Sequence, residues 1–138
     1  YKKDGAYPWL WESIRHATFD DMPQAYKDAY LAINPDSNAL HAMFERDVAR
    51  MRAFPEIRDE DLQAIEAPAL IIAGDNDVVR PEHAVEMFRM MQHASLAIFP
   101  GGHGDYMGEI TTVKPAQNEY PVLPIVEAFL AETTKRDA

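Results

Sequence analysis

From Tyr1 to about Ile65 the apolar residues recur at three- and four-residue spacing and nothing alternates with period two, so this stretch reads as helical. Pro8 suits the first position of a helix through Trp9 to His16, where an N–H would have no partner anyway. Pro23 suits the start of a second helix reaching about Ile33. Asn34-Pro35-Asp36 breaks that run, because the residue before a proline is pushed out of the α region. Asp36 or Ser37 is a good N-cap for a third helix, in which Leu40, Met43, Phe44, Val48 and Met51 fall on one stripe and Glu45, Arg46, Arg50 and Arg52 mostly on the other. A short helix over Asp59–Ile65 follows, with acidic residues in its first turn, where the helix dipole favours them.

At Ala67-Pro68 the texture changes. Ala69-Leu70-Ile71-Ile72-Ala73 is an unbroken apolar run, the mark of a strand buried on both faces of a parallel sheet. Gly74-Asp75-Asn76-Asp77 ends it with turn residues, and Pro81 opens a helix whose apolar face carries Ala84, Val85, Phe88 and Met91. A second strand, Ser95–Phe99, is closed by Pro100-Gly101-Gly102. Strand, turn, helix and strand in this order form a parallel crossover, expected to be right-handed. Residues Ile110–Asn118 read as an irregular loop. Pro121–Thr134 returns to helix, with Val122, Ile125, Val126, Phe129 and Leu130 on one side and Lys135-Arg136 at the negative pole.

The expected fold class is therefore α/β, divided into a helical segment over 1–66 and an α/β segment over 67–138 with two parallel strands. Two strands make an incomplete sheet, since a parallel sheet needs both faces covered and its edges managed. Its completion is expected either from sequence missing before Tyr1 or from a second copy of the chain. The start at Tyr1 rather than at methionine suggests a processed or trimmed product.

Composition narrows the functional classes. The 138 residues suffice for one real core, not for two ordinary domains. The net charge of −10 is spread along the chain, with 8 basic and 13 acidic residues over Tyr1–Glu66 and 5 and 10 after it. With no basic patch to meet phosphates, neither nucleic acid nor an anionic membrane surface is an expected partner. The absence of cysteine excludes disulfides, thiolate metal sites and a cysteine nucleophile. Apolar runs too short to span a bilayer favour the cytoplasm by default.

Open parallel sheets carry their functional groups in loops at the carboxyl ends of the strands. Here those loops hold Gly74-Asp75-Asn76-Asp77 and Pro100-Gly101-Gly102-His103-Gly104-Asp105, so a carboxylate and an imidazole reach the same edge. In acyl transfer by a serine, a histidine takes the hydroxyl proton and a carboxylate fixes its tautomer and stabilises the imidazolium. Asp77 and His103 are the candidate catalytic pair. Asp77 also suits a plain capping role, His103 a plain loop role, and Asp75 that of a turn former. Asp75, Asp77, His103 and Asp105 together raise a metal site, but the glycine and distal glutamate of a calcium loop are missing and no His-x-x-x-His pair exists, so neither metal nor cofactor is expected. His16, His41, His83 and His93 read as surface or helix-end residues. Trp9, Trp11, Tyr26, Tyr30 and Phe54 read as buried aromatics of the helical layer, with the lining of a lipophilic pocket as the alternative.

The stretch Ala67-Pro68-Ala69-Leu70-Ile71-Ile72-Ala73-Gly74-Asp75-Asn76-Asp77-Val78-Val79-Arg80-Pro81 resembles the penultimate strand of the α/β-hydrolases, where a glycine precedes the triad acid by three residues and a proline follows it by four. Leu96-Ala97-Ile98-Phe99-Pro100-Gly101-Gly102-His103 is similar to that family's last strand and histidine loop. The resemblance implies that Asp77, not Asp75, is the acid, that Pro121–Thr134 is the closing helix, and that Tyr1–Ile65 belongs to a cap over the active site. It also implies a serine hydrolase acting on an ester, thioester or related small acyl substrate.

The pattern is incomplete. A nucleophile elbow needs Gly-x-Ser-x-Gly, and Ser13, Ser37 and Ser95, the three serines of the chain, all stand in other contexts. In the family's chain order the serine precedes the acid, so the elbow and the oxyanion hole are expected upstream of Tyr1. The chain by itself is then an inactive C-terminal portion. The alternative is a non-catalytic binding or dimerising module of the same fold.

Overall fold

The computed structural model describes residues 1–112 and 120–136, the last helix with its side chains through residue 133. Six α-helices and two strands are present among them: α1 (Pro8–His16), α2 (Gln24–Ile33), α3 (Ser37–Arg52), α4 (Asp59–Gln63), β1 (Ala69–Gly74), α5 (Pro81–Met90), β2 (Ala94–Phe99) and α6 (Leu123–Arg136). The fold class is mixed α/β. None of these helices is long and apolar enough to cross a membrane.

Two compact units emerge, one from Tyr7–Glu56 and one from Tyr1–Ala6 with the chain from Ile57 onward. This differs from the division at residue 66 that the change of texture implies. Non-local contacts move the boundary: α4 packs on α5, Ala6 forms an antiparallel bridge with Val79, and the Gly5 carbonyl accepts from the Arg80 N–H at 2.8 Å. The first six residues and α4 therefore belong with the strands.

In the helical unit, local chemistry sets the ends. Pro8 opens α1, and Asp36 caps α3 by accepting from the amides of Asn38 and Ala39 at 2.9 and 3.1 Å, two donors that an α-helix leaves unpaired. Arg52 of α3 donates to the carbonyls of Ile14 and Ala17, closing the end of α1 and joining the two helices. The α3 stripe faces inward as the pattern requires, with Leu40 buried and Met43, Phe44, Val48 and Met51 half-buried. The aromatic layer differs from expectation. Trp11 meets Phe54 with ring centroids 5.3 Å apart, but Trp9 and Tyr26 are exposed, because three short helices lack the depth to enclose five large rings.

In the second unit β1 and β2 are parallel, in a register that pairs Ala69 with Ala94 and Gly74 with Phe99. Helix α5 joins them and packs on both. Alternation along the strands puts Ile72, Ala97 and Phe99 on one face, and there Phe99, Tyr106 and Val122 form the core with Tyr120 and Val126 against it. Tyr106 stacks on Phe99 at 5.4 Å between centroids. The stripe read over Pro121–Thr134 is used in part. Val122 is buried, Val126 packs on the core and Phe129 is half-buried, whereas Ile125 and Leu130 are exposed. Of the loop read over Ile110–Asn118, residues 110–112 form a turn; the rest, from 113, lies outside the described residues, as do the side chains of Lys135 and Arg136.

The buried face of α5 also departs from the pattern. His83 and Ala84 are buried while Phe88 is exposed. The cause is the Tyr1–Ala6 segment, which lies over the first turn of α5: the Tyr1 ring stacks on His83 at 4.7 Å, and Gly5 sits so close that a Cβ there would be 2.2 Å from the imidazole. Nδ1 of His83 donates to Glu86 at 3.2 Å, and Nε2 faces the Tyr1 nitrogen at 3.3 Å, an arrangement suited to the neutral ring. Burial holds His83 below its ordinary value near 6.5 against the opposing pull of Glu86. Its contribution to stability is complete above that value and is lost as pH falls from there through the lowered one, because the unfolded chain binds the proton more readily. Urea unfolding at pH 7 and pH 5 is expected to show a fall in stability that His83→Phe makes smaller.

Candidate active site

The register brings Gly74 and Phe99 opposite each other, so the loops leaving β1 and β2 emerge side by side. In the first, the chain turns and the Asp77 carboxylate folds back toward the strand end. It accepts from the Gly74 amide at 3.4 Å and from the Val78 amide at 2.5 Å. In the second, Gly101 and Gly104 have φ of 119° and 78°, a region open to glycine and strained for other residues, and between them the chain turns sharply enough to present His103. Nδ1 of His103 lies 2.8 Å from Oδ1 of Asp77.

The environments of the two side chains differ. Asp77 is 5% exposed and His103 is 68% exposed. A buried carboxylate is costly unless hydrogen-bonded, and here two amides and the imidazole all donate to it. With the carboxylate ionised, Nδ1 carries the proton and donates it, which leaves Nε2 as the free base on an accessible ring. Asp77 caps no helix, since α5 starts after Arg80 without a side-chain cap; its carboxylate holds the turn amides of Gly74 and Val78 together with the His103 ring.

Tyr106, three residues past His103, feels the same charge. Burial first, and the Asp77 carboxylate second, raise its phenol above the ordinary value. Asp77→Asn is expected to bring Tyr106 part of the way back, since burial remains; ultraviolet absorbance on alkaline titration reads the shift.

Asp75 does more than form a turn. Its carboxylate accepts from the Gly101 amide at 2.9 Å and its own amide donates to the Phe99 carbonyl at 2.8 Å, so it joins the two loops. Asp105 accepts from the Gly102 amide at 2.7 Å. These contacts, and the burial of Tyr106, depend on the strand register and have no signature in local sequence. Among the described residues no group of three or more His, Asp or Glu is placed to hold a metal ion.

The remaining residues singled out in the sequence lie elsewhere. His16 is bound to Glu12 at 2.9 Å, His41 stacks on Phe19, His93 is exposed, and His83 is buried in the first turn of α5, against its reading as a surface or helix-end residue at a C-terminus. Ser95 sits near the start of β2, at the opposite end of the strand from the His103 loop, and Ser37 is the first residue of α3 with Asp36 as its cap. The helical unit holds an open hollow of about 390 Å³ lined by Phe19, His41, Phe44 and Arg52, among others. Its rings are not those the sequence put forward for a pocket. No family model, curated protein or solved structure matches this chain.

Proposed function

We propose that this chain is the C-terminal part of an α/β-hydrolase-type serine hydrolase acting on an ester, thioester or related acyl substrate, and that it supplies the acid and base of a Ser-His-Asp triad. The observation that carries the reading is the 2.8 Å contact of a buried Asp77 with an exposed His103 at the carboxyl ends of two adjacent parallel strands. Nε2 of His103 takes the proton of a serine hydroxyl as the oxygen attacks the acyl carbon. Asp77 holds the ring in the required tautomer and stabilises the imidazolium, which then returns the proton to the leaving group. Water, activated in the same way, releases the acid. The serine, the oxyanion-hole amides and the rest of the sheet come from sequence upstream of Tyr1.

The 138-residue chain alone is expected to hydrolyse an activated ester no faster than an equal concentration of free imidazole. Turnover that exceeds this, and that survives His103→Ala, would contradict the assignment. The exposure of Leu123, Ile125 and Leu130 on α6 and of Ile98 on β2 favours a second reading, a non-catalytic module whose sheet a second copy completes. Sedimentation equilibrium distinguishes them, because that reading requires a dimer.

A further inference from the structure

We infer that Asp75 is a positioning residue, whose carboxylate sets the backbone of the histidine loop so that His103 meets Asp77; the inference rests on the pairing of those two residues as acid and base. Gly101 and Gly102 precede His103, and glycine leaves the backbone dihedrals without a steric preference. Something else must select the conformation that carries the imidazole to the carboxylate. Two successive peptide planes are held. The plane of Pro100 and Gly101 is fixed through the Gly101 N–H, which donates to Asp75 at 2.9 Å. The plane of Gly101 and Gly102 is fixed at both ends, its carbonyl accepting from the Asn76 amide at 3.0 Å and its N–H donating to Asp105 at 2.7 Å. With both planes held, the dihedrals of Gly101 between them are determined.

The two carboxylates differ in reach. Asp105 belongs to the loop it closes, three residues from its partner, so its bond shapes the loop without placing it. Asp75 lies 26 residues from Gly101, the same separation as Asp77 from His103, and stands two residues before the acid on the same turn. Its bond therefore refers the histidine loop to the segment that carries Asp77. A bond from an amide to an ionised carboxylate is stronger than one between neutral groups, and here it adds to the neutral backbone bonds that cross between the two loops, Asp75 N–H to the Phe99 carbonyl and Asn76 N–H to the Gly101 carbonyl. A small swing is enough to separate the pair, since N–H···O bonds lie within about 2.7–3.2 Å and weaken steeply once the angle falls below about 120°.

The test is nitrogen-15 NMR of the His103 ring in the 138-residue chain at about pH 8, where imidazoles are neutral. Wild type is expected to show Nδ1 protonated and a downfield Nδ1 proton. In Asp75→Ala, His103 is expected to lose that resonance and move toward the Nε2–H tautomer common in water, with exchange of the Gly101 amide about ten- to a hundredfold faster. Core resonances of Phe99 and Val122 stay in place. Asp75→Asn keeps an acceptor and is expected to restore the Nδ1 tautomer, with Gly101 exchange intermediate. If Asp75→Ala does not fold, Asp75→Asn decides alone, because a neutral acceptor must still raise Gly101 exchange several-fold. A His103 signal unchanged in folded Asp75→Ala, or Gly101 exchange unchanged in Asp75→Asn, overturns the inference and leaves the pairing intact. Absence of a bonded Nδ1 proton in wild type overturns the pairing itself.

Discussion

In the proposed serine hydrolase, His103→Ala is expected to lower kcat by roughly 10⁴- to 10⁶-fold with little change in stability. The two expectations follow from different facts. In the proposed triad the imidazole is the group that moves the proton, so its loss removes the advantage of the whole unit. Its side chain is largely exposed, so the fold loses few contacts with it. Asp77→Asn is expected to cost about 10⁴-fold by another route. An asparagine amide donates to Nδ1, which forces the proton onto Nε2 and leaves no base facing the serine. The double variant should be scarcely slower than His103→Ala alone, because groups that act as one unit are not additive. Steady-state kinetics with an activated ester, together with urea midpoints, check all three.

Gly74→Ala is expected to damage the site from behind. A Cβ at Gly74 would stand 2.4 Å from the Gly101 carbonyl oxygen and 2.9 Å from that of Gly102, and both obstacles are backbone. The histidine loop has to move outward from β1. Overpacking of this kind costs about 1–3 kcal/mol, and the displacement acts directly on the loop that sets the distance between Asp77 and His103. Gly102→Ala is the control, since a Cβ there would find its nearest neighbours at 3.5 and 3.6 Å, ordinary contact distances. Urea midpoints for stability, and the downfield Nδ1 proton for the pairing, are expected to separate the two variants.

The residues legible from sequence are those whose role is local. Pro8 and Asp36 mark helix starts because their missing donor or added acceptor answers a need within one turn. The apolar run from Ala69 marks a strand, and the glycines around His103 mark a loop that can present a ring. Asp77 and His103 were legible together because two strand ends deliver their residues to one edge whatever fills the rest of the chain. His83 was not, for its burial depends on the Tyr1–Ala6 segment crossing α5, a contact between residues some eighty positions apart. Nor was the tie from Asp75 to Gly101, which exists only in the register that pairs Gly74 with Phe99. The helix from Leu123 shows the opposite error. Its apolar stripe promised more burial than the described residues provide, since Ile125 and Leu130 remain exposed.

Asp77 and His103 are proposed to serve a serine nucleophile supplied from upstream, and the most direct test is labelling with a fluorophosphonate, which reacts with an activated serine, in the chain produced together with the coding sequence before Tyr1. One labelled serine within Gly-x-Ser-x-Gly is predicted, with labelling abolished by His103→Ala and strongly slowed by Asp77→Asn. An upstream segment without such a serine, or labelling indifferent to His103, would contradict the account.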